Sequence, residues 1–98
     1  MIRVTFRFLI LVVFASVAIG SEPKHAVRDQ AAAIKIAVAG WEPIYGAAHI
    51  AAEKPYHATL YRGIWTVTGT LPKGMKGGVA LAEISEDNGR IIRITHGK

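Results

Sequence analysis

"YHATLYRGIWTVTGT", Tyr56 to Thr70, is the stretch that decides the fold. On each side of Arg62-Gly63 apolar and polar residues alternate with a period of two, the pattern of a half-buried strand. Arg62 and Gly63 fit a two-residue turn, and Gly63 supplies the positive φ that such turns need. The stretch therefore reads as a β-hairpin with strands at Tyr56–Tyr61 and Ile64–Thr70. Trp65 and Val67 share one face; Thr66 and Thr68 share the other.

Toward the C-terminus, "VALAEIS" (Val79–Ser85) reads as a third strand and "IIRITH" (Ile91–His96) as a fourth. Between them "EDNGR" holds Asn88-Gly89, a strong hairpin signal. Simple alternation in the fourth strand puts Ile92 and Ile94 on one face, with Arg93 and Thr95 on the other.

Toward the N-terminus the period changes to about 3.6. "AVRDQAAAIKIAVAGWEPIYG" (26–46) is dense in alanine, the residue of highest helix propensity. Ile34, Val38, Trp41 and Tyr45 line up as one apolar stripe, leaving Arg28, Asp29, Lys35 and Glu42 to solvent. Pro43 disfavours helix at Glu42, so a kink or break is expected there. Gly46 can end the last turn. "AAHIAAEKP" (47–55) is a short helical piece or loop closed by Pro55. The expected fold is α+β: a long N-terminal helix packed across one face of a four-stranded antiparallel sheet.

Before this domain, "MIRVTFRFLILVVFASVAIG" carries Arg3 and Arg7, an uncharged apolar run from Phe8 to Ile19, and Ala18 and Gly20 as a small-residue exit. That is the order of a secretory signal peptide, cleaved between Gly20 and Ser21. The run is short for a spanning helix, so no stable membrane anchor is expected after cleavage. The expected division is 1–20 signal peptide, 21–25 polar lead-in, and 26–98 one domain. Loss of Arg3 and Arg7 leaves ten basic against seven acidic residues, a net charge of +3. Such a mild excess does not mark a nucleic-acid binder. Without cysteine the chain has no disulfide, thiol nucleophile or cysteine metal site. So small a domain has a thin core, and homodimerisation is one way to support it.

The glycine-rich segment "GTLPKGMKGG" (Gly69–Gly78) invites comparison with a phosphate cradle. Gly69 and Gly74 have P-loop separation, but Met75 stands where lysine is required and Lys76 where serine or threonine is required. The segment also joins two strands, whereas a P-loop runs into a helix whose N-terminus holds the phosphate. Its glycines are better explained by backbone shape, with Gly77 and Gly78 needed where the loop enters a strand. The histidines are His25, His49, His57 and His96; no two have helical metal-pair spacing and no HExxH occurs. His96 is the most interesting of them, with a strand-end hydrogen bond to the backbone as its plain role. Glu83, if buried in a sheet cup, is the conceivable acid-base group, but no second partner stands at a defined spacing. No catalytic, metal or cofactor set is expected. Trp41 and Trp65 are expected to meet in one core.

The pieces Trp41-Glu42-Pro43-Ile44-Tyr45-Gly46, Lys54-Pro55-Tyr56, Trp65 with Val67, Gly69-Thr70-Leu71-Pro72-Lys73-Gly74, Gly77-Gly78, and Asn88-Gly89 followed by His96-Gly97-Lys98 carry a family likeness. From Ala31 to Lys98 the chain resembles the small immunity proteins of bacterial polymorphic toxin systems with a nuclear-transport-factor-2-like fold. The resemblance implies that the helix packs on a curved four-stranded antiparallel sheet, a small cystatin-like or nuclear-transport-factor-2-like shape, and that the protein is a non-catalytic binder that neutralises a cognate protein toxin. With the export signal, it places that encounter in the periplasm or cell envelope. Lys73 and Lys76 project from the one long loop and are the candidate partner-binding residues. Two other classes stay open at this level: a general envelope binding or peptidase-inhibitor-like module, and a small hydrolase or isomerase using Glu83 or His96.

Overall fold

The computed structural model describes residues 26–97. The expected signal peptide with its Gly20/Ser21 cleavage site, the polar lead-in 21–25, and Lys98 lie outside the described residues. The elements run α1 (Gln30–Tyr45), α2 (Ala47–Ala51), β1 (His57–Tyr61), β2 (Ile64–Thr68), β3 (Ala80–Ser85) and β4 (Ile91–His96). The strands form one antiparallel sheet in sequence order, and α1 packs on one face of it.

The hairpin at Arg62-Gly63 is as the sequence predicts. Tyr61 pairs with Ile64, and both turn residues have positive φ, 49° and 79°, as a type I′ turn requires. The register builds two rows across the helix-facing side, Ala58–Val67–Ala82–Ile94 and Leu60–Trp65–Ile84–Ile91. The opposite side carries Thr59–Thr66–Glu83–Arg93, a polar row suited to solvent.

Two expectations about β4 and α1 are corrected. Ile92 and Ile94 do not share a face. Ile84 pairs with Ile91 and Glu83 with Arg93, so Ile92 is the extra residue of a register shift and is 52% exposed. Ile91 takes its place beside Ile94 against the core.

Helix α1 runs through Pro43 to Tyr45 without the expected break. Proline near a C-terminus gives up a single bond, here to the Ala39 carbonyl, and Ala39 lies on the exposed side where water can serve it. The helix starts at Asp29, whose side chain accepts from the Ala32 amide at 2.8 Å, and ends at Gly46 (φ 95°), whose amide donates to Glu42 O. Its deepest residues are Ala33, Ala37 and Trp41; Ile34, Val38 and Tyr45 only flank that line. Small side chains let the helix approach the sheet closely. A Cβ on Gly40 would overlap the Ile91 side chain.

Trp41 and Trp65 both lie in the one core, as expected. The Trp41 ring packs at 5.8 Å from that of Tyr56, and Trp65 Nε1 donates to the Val27 carbonyl at 2.9 Å. Ala26 and Val27 also donate to Asp87 O and Glu86 O, so the segment ahead of α1 is tied to the β3–β4 turn. Among the described residues no helix is long and apolar enough to cross a membrane.

Candidate functional site

The chemistry gathers where α2, the start of β3 and the end of β4 meet. Gly46 turns the chain from α1 into α2, and buried Ile50 anchors α2 to the core. The Tyr56 hydroxyl donates to the Ile50 carbonyl at 2.8 Å. One turn beyond His49 comes Glu53. Its amide donates to Ile50 O, and its carbonyl accepts from the Thr70 amide at 2.7 Å. Both ends of this residue are fixed, and its side chain is directed inward.

Glu53 is the one charged residue among the described residues that is fully buried, 2% exposed. A carboxylate in such a place must be paired or hydrogen-bonded. Oε1 accepts from the Ala80 amide at 2.8 Å. Oε2 lies 2.9 Å from His96 Nε2 and 3.1 Å from His49 Nε2, and the two imidazole nitrogens are 3.2 Å apart. Space for the carboxylate comes from Gly69, where a Cβ would overlap Oε1.

His96 reaches this point because it pairs with Ala80 on the helix-facing side of the sheet. Its Nδ1 lies 2.9 Å from the Gly97 carbonyl, which can only accept, so Nδ1 carries the hydrogen. Its ring lies 5.0 Å from Tyr45 and 5.2 Å from His49. The Gly97 carbonyl, then the hydrogen bond to Glu53, raise the imidazole pKa above its ordinary value; partial burial opposes this. The expected backbone hydrogen bond of His96 is present, and the contact with Glu53 comes in addition.

A cleft of about 280 Å³ opens beside these three side chains, with Pro72, Met75 and Lys76 of the 69–79 loop on its other side. Lys73 and Lys76 are both exposed, as expected; Lys76 lines the cleft and Lys73 does not. The loop's glycines have conformational and steric roles. Gly74 and Gly77 have φ of 80° and 114°. At Gly78 a Cβ would overlap the backbone of Gly97, so the loop and the end of β4 cross glycine on glycine.

Several motif pieces thus converge at one end of the molecule. Gly69, Pro72, Gly78, His96 and Gly97 all border Glu53 or its cleft, and the Tyr45 ring packs on His96. Trp41, Tyr56 and Trp65 serve the core, Leu71 is 38% exposed, and Gly89 (φ 75°) shapes the β3–β4 turn. Pro55 follows a cis peptide bond from Lys54.

Glu83 is not a buried carboxylate. It lies on the face away from α1, in a two-pronged pair with Arg93 (Oε1 to Nε 3.3 Å, Oε2 to Nη2 3.2 Å), and Arg93 holds its pKa below the usual range. The buried carboxylate is Glu53, which the sequence reading passed over. Comparing histidines only with one another also missed the cluster. His49 and Glu53 are four apart, the spacing that puts two side chains on one helical face, and β4 delivers His96 from a distance.

A helix on a four-stranded antiparallel sheet with a cleft at one end defines a small α+β domain suited to binding. Residues 32–98 match the family described as NTF2 fold immunity protein, and the chain belongs to that family. It is also 36% identical over 83 residues to the uncharacterized protein YhhH of Escherichia coli (strain K12), covering 80% of this chain and 65% of the relative. The chain thus spans about two thirds of that relative's length. No solved structure matches it.

Proposed function

We propose that this protein neutralises a cognate bacterial toxin by binding it, without catalysis, in the cell envelope. The observation that carries the reading is membership of the immunity family over nearly the whole described domain. The geometry adds a place for contact. The 69–79 loop presents Met75 (60% exposed) and Lys76 at the cleft, and the same loop carries exposed Leu71 and Lys73. Exposed apolar side chains and lysines on one loop suit a partner surface with an acidic rim. Envelope location rests on the Arg3/Arg7, apolar-run and Ala18/Gly20 pattern, with Ser21 as the first exported residue.

Co-expression tests the reading. A toxin that co-purifies with the exported protein, produced in a sensitive host, should arrest growth alone and not when this protein is produced with it. Arrest that persists despite an abundant, folded protein would overturn the proposal.

A further inference from the structure

We propose that His49, Glu53 and His96 form a binding site for a zinc-class divalent cation, with an open coordination position facing the cleft.

The geometry comes first. His49 Nε2, Glu53 Oε2 and His96 Nε2 stand 2.9 to 3.2 Å from one another. Zinc bonds of about 2.0–2.1 Å in a tetrahedron put neighbouring ligand atoms about 3.3 Å apart. Only a few tenths of an ångström of outward movement separates these three atoms from that arrangement. Two imidazoles and one carboxylate are a ligand set that zinc accepts with a fourth position left for water or another donor. Magnesium and calcium prefer all-oxygen shells, so the nitrogen pair selects against them.

The hydrogen bonding points the same way. His96 Nδ1 carries its hydrogen toward Gly97 O, so in the neutral ring Nε2 presents a lone pair. That lone pair faces a carboxylate oxygen at 2.9 Å and a second imidazole nitrogen at 3.2 Å. Without a metal these contacts are held by an imidazole Nε2–H that donates to Oε2; a metal ion can take the place of that proton among the three atoms. The outer contacts are those of a prepared site. A backbone carbonyl fixes the tautomer of one histidine, and the Ala80 amide occupies Glu53 Oε1, leaving Oε2 for the metal. Access is open, because the His49 side chain is 53% exposed and all three residues line the cleft. The fourth position is then available to water or to a donor atom of a bound molecule. In the protein a cation here would pin α2 to the end of β4.

The site lines the same cleft as the proposed contact surface, but its test uses no toxin, so the two can fail separately. Untagged full-length protein as purified from its host, stripped with a chelator, is titrated with zinc chloride by calorimetry and with cobalt(II) by absorption. The expected result is one equivalent bound, tetrahedral cobalt bands in the visible, and a melting temperature that rises with zinc. His49→Ala should weaken zinc binding by about 100-fold or more, while its metal-free melting temperature stays near that of the parent, since His49 is exposed. A proton, not a metal, would be the resident cation if neither ion binds. Zinc affinity unchanged in a folded His49→Ala variant would place any bound metal elsewhere. Either result overturns the proposal.

Discussion

Replacing Trp65 by phenylalanine separates two contributions that alanine would remove together. Trp65 is 5% exposed, and its Nε1 donates at 2.9 Å to the carbonyl of Val27, itself 1% exposed. Phenylalanine keeps an aromatic ring in the row between Leu60 and Ile84 but loses the N–H and part of the volume. The unpaired carbonyl costs about 1–3 kcal/mol, and a void of roughly 40 Å³ adds about 1 kcal/mol at ~24 cal/mol per Å³. We expect Trp65→Phe to lose about 2–4 kcal/mol, and Trp65→Ala about 3–5 kcal/mol or more, enough to unfold a marginal domain. For a domain of this size the phenylalanine variant should melt roughly 10–30 °C lower. Circular dichroism melts give the size of the effect. Amide exchange locates it, because Ala26 and Val27 should lose protection ahead of the sheet. A variant that melts within a few degrees of the parent, with Val27 still protected, would refute this account of how the segment before α1 is held.

Glu53→Leu should destabilise by about 3–5 kcal/mol, since it strands the Ala80 amide and removes the shared acceptor of two histidines; urea titration checks this. Glu83→Gln should leave the melting temperature and growth protection unchanged, because the pair with Arg93 is exposed; loss of protection with the fold intact would revive a role for that carboxylate. Gly74→Ala should cost about 1 kcal/mol for its positive φ, whereas Gly78→Ala should cost more, because its Cβ meets the backbone of Gly97 and backbone cannot rotate aside; equal losses would contradict the crossing. Reversing Lys73 and Lys76 to glutamate should slow toxin association and change its salt dependence more than it changes dissociation, as surface plasmon resonance at two salt concentrations would report; an unchanged association rate removes the loop from the interface.

The sheet was legible because its signals are local. The two-residue turn at Arg62-Gly63 and the alternation around it need only neighbouring residues. The helix was legible in extent but not in face. Ile34 and Val38 look like the apolar stripe, yet Ala33, Ala37 and Gly40 face the sheet because close approach rewards small residues. Alternation also misled at Ile92, where a one-residue register shift is invisible in the pattern. The cluster was half legible. His49 and Glu53 have helical spacing, but His96 joins them only through the β3–β4 pairing, 43 residues from Glu53. The family motif had marked its surroundings, with Gly69, Gly78 and Gly97 supplying the space that Glu53 and the β4 end occupy.

The central claim is neutralisation by binding, and its most direct test is a stoichiometric titration of toxin activity. A fixed amount of the co-purifying toxin is assayed against increasing amounts of this protein. The account predicts a linear fall that ends at equimolar protein, with intact toxin recovered when the complex is separated. Loss of activity at far less than equimolar protein, or a toxin left chemically altered after separation, would show catalytic turnover and contradict it.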